Sequence, residues 1–488
     1  MIFSEPKFLL FFLLVFGVYW ALPSNQLRKW FLLAGSLFFY GSWDPRFLVL
    51  IVLCATVDFV ASLKIEAARS QGRSAKPWLM LSLVYDLGTL GFFKYFDFFA
   101  GSFVSLLQGF GVEDVGPWVP KFLLPVGISF FTFQAMSYTI DVYRGQLKAS
   151  QSYTDFLLFV TFFPQLVAGP IVRASDFLPQ LDEKRFFKNV DVHLALGQFL
   201  SGFVKKAVIA DMIAGPADAV FGDPTVKFGD PKYVDPAEFT AGSIWIAVFC
   251  YSIQIYCDFS GYSDMAIGTA RLLGYELCQN FRFPYLATSI TDFWRRWHLS
   301  LSTWLRDYLY ISLGGNRGGR WFTHRNLMLT MLLGGLWHGA GWNFVIWGAI
   351  HGIALVVHKE WVRHVGEGKL PIVSRLLTLY VVMAAWIFFR APSFEQAWPM
   401  LKAWLWFESS GTKELAIWSP VVAWTLPVRC AVLLVPLLLC HVAVSGNLHL
   451  RLRAVLPPLL VTLLFGVIAE LALAFMPLQA RPFIYFQF

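Results

Sequence analysis

Leu333-Gly-Gly-Leu-Trp-His-Gly-Ala-Gly-Trp-Asn343 places one histidine in the middle of a long apolar stretch. An ionisable side chain inside a membrane segment is costly, so such a residue is a candidate for function. The neighbouring glycines leave the backbone around His338 bare, which allows a helix or a ligand to come close. The pattern favours proton transfer at membrane depth. The alternative is a core histidine that is bonded to a backbone carbonyl.

The composition excludes an ordinary soluble protein. Of 488 residues, 57% are hydrophobic and 14% are charged, whereas soluble domains carry roughly 25% charged residues. We therefore predict an all-α polytopic integral membrane protein with a single membrane domain over residues 1–488. Lys and Arg number 39 against 31 acidic residues. In a membrane protein this excess is typical of cytoplasmic loops, so membrane lipid is the expected surrounding and nucleic acid is not an expected partner.

The apolar runs give the predicted membrane segments, since a full span needs about 20 apolar residues. Segments 240–274 and 326–358 exceed a simple span, which predicts broken or re-entrant helices. Segment 154–169 resists assignment and is a re-entrant candidate. The predicted segments are 7–22, 30–42, 46–63, 77–99, 121–142, 154–169, 193–214, 240–274, 326–358, 374–390, 420–441 and 453–476.

Loop charge gives the predicted orientation. The stretch 282–325, with seven arginines against two aspartates, and the loop 359–375 are basic and should be cytoplasmic, whereas the loop 215–239 is acidic and should lie outside. Both termini then fall outside. Segment 326–358 must leave the cytoplasmic side and return to it, with a break near Gly339–Gly341. At 1.5 Å per residue, His338 lies about 18 Å deep, past the middle of a ~30 Å hydrocarbon core.

A second cluster is Thr291-Asp-Phe-Trp-Arg-Arg-Trp-His-Leu-Ser-Leu-Ser-Thr-Trp-Leu-Arg-Asp307. If it is helical, His298, Ser302 and Arg306 fall on one stripe, with Trp294 and Arg295 on the same side. Arginine binds phosphate through paired hydrogen bonds and tryptophan can stack on a base, so the pattern suits a phosphorylated, partly aromatic ligand. The alternative is an interfacial helix with an aromatic belt and anchoring arginines.

A third run, Gln254-Ile-Tyr-Cys-Asp-Phe-Ser-Gly-Tyr-Ser-Asp-Met265, places Asp258 and Asp264 in an apolar segment. Buried carboxylates need partners. Either aspartate can orient a histidine or pair with an arginine of 282–306, and a structural ion pair is the interpretation we favour. His351, with a single adjacent glycine, is predicted to be structural. The histidines, cysteines and acids show no metal-site spacing, so no metal is predicted.

An ordered series of motifs resembles the membrane-bound O-acyltransferase family, in the bacterial branch that contains the membrane subunit of alginate O-acetylation. The match is strongest over 258–352. The C-terminal run Phe483-Ile-Tyr-Phe-Gln-Phe488 is similar too. The motifs are Asp258-Phe-Ser-Gly-Tyr-Ser-Asp-Met-Ala-Ile-Gly268, Asn280-Phe-Arg-Phe-Pro-Tyr285, Phe293-Trp-Arg-Arg-Trp-His-Leu-Ser-Leu-Ser302, Arg306-Asp-Tyr-Leu-Tyr310, Gly314-Gly-Asn-Arg317 and Gly335-Leu-Trp-His-Gly-Ala340.

The resemblance implies a ring of tilted transmembrane and re-entrant helices around a central tunnel. It places His338 at the position of the family's catalytic histidine and His298 at that of its second motif histidine. Acetyl-CoA is then the acyl-donor substrate, and no resident cofactor is implied. The residues implied to bind the donor or shape the site are Asn280, Trp294, Arg295, Arg296, Ser302 and Arg306, with Asp258, Asp264 and Trp337 in support.

The same resemblance implies a protein of the bacterial inner membrane. It would pass acetyl to an exported or periplasmic partner protein that acetylates a polysaccharide, either alginate or another envelope glycan. Transfer of D-alanine or another acyl group is the alternative within the enzyme class. A transporter that relays ions through scattered intramembrane charges, or a scaffold of a polysaccharide secretion complex, is the alternative outside it. The charges in question are Asp58, Asp86, Lys94, Lys205, Lys206, Asp211 and Glu470.

Overall fold

A computed structural model of the protein describes residues 3–112, 123–167, 169–223, 230, 232–366, 368, 370–415, 457–475 and 483–484. Within these ranges the regular structure is helical, with one isolated β-bridge between Phe239 and Lys413. The predicted all-α class is confirmed. The predicted span 420–441, with Cys430 and Cys440, and the last four residues of the C-terminal motif lie outside the described residues.

The helices are numbered in chain order. Three of them continue into π-helical turns, Gly91–Tyr95 after α4, Val204–Ala210 after α10 and Leu305–Tyr310 after α14. The α-helices are α1 Pro6–Ala21, α2 Asn25–Gly41, α3 Arg46–Ser70, α4 Lys76–Leu90, α5 Phe96–Gly109, α6 Ile128–Arg144, α7 Tyr153–Thr161, α8 Phe163–Leu166, α9 Ala174–Asp182, α10 Val192–Phe203, α11 Asp211–Phe221, α12 Ala241–Leu272, α13 Ile290–Trp294, α14 Leu299–Trp304, α15 Arg320–His338, α16 Trp342–His364, α17 Pro371–Arg390, α18 Phe394–Trp406 and α19 Pro458–Phe475.

The chain divides into two compact units. The first comprises residues 1–196 and 266–278, and the second comprises residues 197–265 and 279–488. The second unit contains every residue that the sequence singled out for the site. A single membrane domain over 1–488 stays a prediction.

Among the described residues, five helices are long and apolar enough to cross a membrane. This agrees with a multi-pass membrane protein. The helices α1 and α19 are apolar but shorter. The five candidates are Arg46–Ser70, Lys76–Gly109, Val192–Phe221, Ala241–Leu272 and Pro371–Arg390.

The expected break within 240–274 is wrong. Helix α12 runs unbroken over 32 residues, or about 48 Å. The segment contains no proline, and its glycine at 261 lies against the backbone of Gly202, where an added Cβ would come closer than 3.0 Å to the Gly202 carbonyl oxygen. The small residues of this helix therefore serve close packing rather than a break.

Segment 154–169 forms two short helices, α7 and α8, rather than a span. The backbone turns at Phe162, with φ −51° and ψ 110°. At nine residues, α7 extends about 14 Å and cannot cross a ~30 Å core. Its side chains from Phe156 to Val160 are buried, so the segment lies within the protein, as the re-entrant prediction requires.

The predicted hairpin in 326–358 is confirmed. Helix α15 ends at His338 and α16 begins at Trp342, and the glycines at 339 and 341 between them have extended backbones. The two helices pack closely because glycines of each helix face the backbone of the other. A Cβ on Gly335 would come closer than 3.0 Å to the carbonyl oxygen of Phe344, and one on Gly348 would do the same at Met331. The hairpin thereby fixes the position of His338 at the turn between the two packed helices.

Substitution of Gly348 with alanine tests this packing. The new methyl group meets the backbone carbonyl of Met331, which cannot rotate away, so the helices must separate. We expect a loss of about 1–3 kcal/mol in the free energy of unfolding, measured as a lower thermal midpoint of the purified protein in detergent. Gly17→Ala is the matched control, since its Cβ meets nothing within 4 Å. Equal midpoints for the two variants would contradict this packing.

Candidate active site

The segment 291–307 is not one helix. Helix α13 ends at Trp294, a turn follows, and α14 begins after His298, whose backbone is left-handed with φ 44° and ψ 56°. The predicted stripe through His298, Ser302 and Arg306 is therefore wrong. The physical reason is a hydrogen bond to a segment that is distant in the chain. The amide of Leu299 donates to the carbonyl of Asn280 at 2.8 Å, so the backbone beside His298 bonds to another segment instead of continuing a helix.

Asn280 fixes the orientation of the His298 ring. Its Oδ1 accepts a hydrogen bond from the backbone amide of Ser300 at 3.3 Å, and a backbone amide can only donate. Oδ1 is therefore the carbonyl oxygen, and His298 Nδ1, at 3.0 Å from it, must carry the proton. Asn280 Nδ2 donates to Ser263 at 3.1 Å. The lone pair of the imidazole is thus placed on Nε2.

Burial decides the charge of this histidine. His298 is fully enclosed, and loss of solvent lowers its pKa to about 3 because the charged ring cannot be hydrated. The ring is therefore neutral at physiological pH. A neutral imidazole with Nδ1 protonated has one nitrogen able to accept a proton or a hydrogen bond.

His338 lies beside His298 in an aromatic enclosure. Its ring centroid is 6.4 Å from that of His298, 5.0 Å from those of Trp337 and Trp347, and 5.3 Å from that of Phe389. His338 is 3% exposed. The two motif histidines therefore share one buried site. In the chain they are separated by α14, a glycine-rich loop and the rest of α15. Water-poor aromatic walls strengthen electrostatic interactions with a reacting group.

The residues proposed to bind the donor divide into two groups. Trp294 has its ring 5.8 Å from that of Trp347 and thus contacts the wall of the His338 site. It is followed by the exposed Arg295 and by Arg296, which pairs with Asp292 at 2.8 Å. Ser302 and Arg306 are engaged elsewhere. Ser302 donates to the carbonyl of Trp297 at 3.0 Å, and the exposed Arg306 pairs with its neighbour Asp307 at 2.6 Å.

The aspartates of α12 pair with lysines rather than with arginines of 282–306. Asp258 lies 2.6 Å from the amine of Lys206, which also contacts Asp211 at 2.9 Å. Asp264 pairs with Lys205. Asp258 also accepts a hydrogen bond from the amide of Ile484 at 2.8 Å, which anchors the described part of the C-terminal motif. These contacts support the structural ion pairs that we favoured.

Two groups of residues were not foreseen from the sequence. In the first unit, Cys54, Asp58 and Asp86 place possible metal-ligand atoms within 4.8 Å of one another, although their spacing gave no such signal. They are also hydrogen-bonded, with the thiol of Cys54 3.1 Å from Asp86 and the Thr139 hydroxyl donating to Asp58 at 3.0 Å.

The second group surrounds His351, which lies one helical turn beyond Trp347 on α16. Its ring is 4.7 Å from that of Trp347 and 5.1 Å from that of Trp294. The spacing of four residues between Trp347 and His351 is the signal that would have placed them on one face.

Comparison with known proteins identifies the family of this chain. A model of the membrane-bound O-acyltransferase family matches residues 84–395. The chain is 43% identical over 404 residues to a probable alginate O-acetylase of Azotobacter vinelandii, covering 83% of this chain and 78% of that protein. It is 38% identical over 437 residues to a peptidoglycan O-acetyltransferase of Helicobacter pylori, covering 82% and 79%.

A more distant relative is a teichoic acid D-alanyltransferase of Streptococcus thermophilus. It is 30% identical over 251 residues, which cover 49% of this chain and 57% of that protein. The family match spans the helices that carry both motif histidines. With its helical membrane architecture, this protein belongs to the membrane-bound O-acyltransferase family and is an O-acyltransferase.

Proposed function

We propose that this protein takes an acetyl group from acetyl-CoA on the cytoplasmic side of the bacterial inner membrane and delivers it outward for O-acetylation of an envelope polysaccharide such as alginate. The observation that carries the proposal is the buried pair of His298 and His338, with rings 6.4 Å apart. The alginate and peptidoglycan acetylases, which match over four fifths of the chain, support acetyl as the group.

His338 is the general base of the proposed reaction. It accepts the proton of an attacking hydroxyl, and the hydroxyl oxygen forms a bond to the acetyl carbonyl carbon. The carbon–sulfur bond then breaks, and the departing thiolate takes the proton from His338, so no net proton is gained or lost. His298, neutral and oriented by Asn280, forms part of the enclosure beside His338. Its Nε2 can only accept, so it does not share the single hydroxyl proton that His338 takes.

The donor enters from the side on which the arginines of 282–325 lie. Arg295 and Arg296 would contact the phosphates of acetyl-CoA, since arginine matches phosphate geometry. By this account both chain termini face outward, and the accepting hydroxyl belongs to an exported or periplasmic partner protein that passes acetyl to the polysaccharide. Free acetyl-CoA then never leaves the cell.

D-Alanyl transfer is the second candidate, and the teichoic acid D-alanyltransferase supports it over half of the chain. One experiment separates the two. Envelope polymers from cells with and without the gene are treated with base, and acetate and D-alanine are measured in the same hydrolysate. We expect loss of acetate alone in the deletion strain and its return on complementation. Loss of D-alanine alone would select the second candidate, and no change in either ester would refute both.

A further inference from the structure

Two helices of the first unit bring a thiol and two carboxyl groups together. Cys54 and Asp58 lie one turn apart on α3, and Asp86 lies on α4. The sulfur of Cys54 is 3.1 Å from Oδ1 of Asp86 and 3.9 Å from Oδ2 of Asp58. All three residues are at most 2% exposed, and both helices belong to candidate membrane spans. This thiol–carboxylate cluster is therefore shielded from water.

The cluster has more acceptor atoms than donors. Among the described residues, no lysine or arginine pairs with Asp58 or Asp86, although buried charges in proteins are paired or coordinate metals. The Cys54 thiol has a single proton, which cannot serve both carboxylates. Oδ2 of Asp86 is enclosed and has no hydrogen-bond partner in the part of the chain that the structure describes, while Oδ1 of the same carboxylate contacts the thiol. A cation would satisfy these atoms.

Two hydroxyl groups hold the Asp58 carboxylate in place. Ser82 on α4 and Thr139 on α6 both donate to its Oδ1, the latter at 3.0 Å. The other oxygen, Oδ2, is left facing the sulfur of Cys54. Carboxylates that bind metal ions are oriented by outer hydrogen bonds of this kind. The side chains are therefore arranged as ligands by the surrounding protein.

We propose that Cys54, Asp58 and Asp86 bind a zinc ion that joins α3 to α4. Their ligand atoms lie within 4.8 Å of one another, and sulfur and oxygen ligands of a tetrahedral zinc are about 3.5 Å apart, so a small inward movement closes the site. The second oxygen of Asp86 supplies the fourth donor atom. A thiolate among the ligands favours zinc over magnesium and calcium, which take oxygen ligands in larger number. Two protons leave to solvent as the divalent ion binds, so the net charge of the site does not change.

Zinc binding to the purified full-length protein tests the site. The protein in detergent is freed of metal with a chelator and then titrated with Zn²⁺ against a chromophoric chelator, and the thermal midpoint is measured with and without zinc. We expect equimolar uptake and a higher midpoint in the wild type, and loss of both in Cys54→Ala and Asp86→Asn. Thr139→Val removes an outer hydrogen bond but no ligand, and should raise the Kd for zinc about 10–100-fold.

Cys250→Ala is the matched control. It removes an equally buried thiol from α12, outside the cluster, and should bind zinc as the wild type does. Cobalt identifies the ligand. Co²⁺ bound by a thiolate absorbs in the near ultraviolet through sulfur-to-metal charge transfer, which we expect in the wild type and in Cys250→Ala but not in Cys54→Ala.

Three results would overturn the site. Equal zinc uptake by the wild type and all cluster variants would indicate binding to surface groups. A midpoint raised by magnesium and not by zinc would exclude a thiolate ligand. Absence of uptake by the wild type would mean that the two carboxyl groups share a proton instead. If Cys54→Ala and Asp86→Asn do not fold, Thr139→Val decides alone, and an unchanged Kd for zinc in that variant would refute the proposal.

Discussion

Replacement of His338 with alanine should abolish acetyl transfer while the protein still accumulates in the membrane. The side chain lies 3% exposed against Trp337, Trp347 and Phe389, with its ring 6.4 Å from that of His298. Loss of a general base lowers the rate by about 10²–10⁴-fold. The measurement is base-labile acetate on the envelope polysaccharide, together with the amount of protein in isolated membranes.

His364→Ala is the control for that experiment. It removes the same ring from the same hairpin, but His364 is exposed and contacts only the carboxylate of Glu360 among the contacts that the structure describes. We expect normal acetate in this variant. Wild-type acetate in His338→Ala would mean that His338 fills space and that another group takes the proton, with His298 as the next residue to replace.

Replacement of Lys206 with methionine should cost about 3–5 kcal/mol in the free energy of unfolding. The lysine amine is enclosed between Asp258 and Asp211, with side chains only 1% and 4% exposed. Its loss removes the cation that both buried carboxylates contact. The expected result is a large fall in the thermal midpoint and in the amount of folded protein recovered in detergent.

The neighbouring Lys205 supplies a matched comparison. It pairs with Asp264, but about a fifth of each side chain is exposed, so water reaches this pair more easily than the pairs of Lys206 and screens it more. Lys205→Met should therefore lower the midpoint less than Lys206→Met does. A second comparison adds Asp258→Asn to Lys206→Met. The added change removes one of the two buried carboxylate charges and should restore part of the lost thermal midpoint. Equal midpoints for the two lysine variants would refute the buried-ion account.

The sequence predicted features that depend on local chemistry. Glycines between two apolar runs predicted the break after His338, because a glycine backbone can leave the helical conformation at little steric cost. The same logic failed for α12, where Gly261 packs against a neighbouring backbone instead of interrupting its own helix. A glycine in an apolar run can either end a helix or allow close packing. Which of the two occurs depends on the segment that lies beside the glycine.

Features that depend on contacts between distant segments of the chain could not be predicted from the sequence. The left-handed backbone of His298 follows from hydrogen bonds to Asn280, and helical periodicity contains no information about that segment. In the same way, the aspartates of α12 were expected to need partners, but the sequence gave no means of choosing lysines over arginines. The choice follows from the π-helical turn Val204–Ala210, which presents both lysines to that helix.

The end of α15 has an electrostatic consequence. His338 is the last residue of a 19-residue helix whose terminal carbonyls cannot bond within the helix. The aligned peptide dipoles leave about half a negative charge at that end, and a cation there gains about 0.3–1 kcal/mol, or more when partly buried. An imidazolium formed at His338 is thus stabilised by the backbone of its own helix, in an enclosure whose aromatic walls cannot hydrate it. The helix that positions the histidine also supplies its counter-charge.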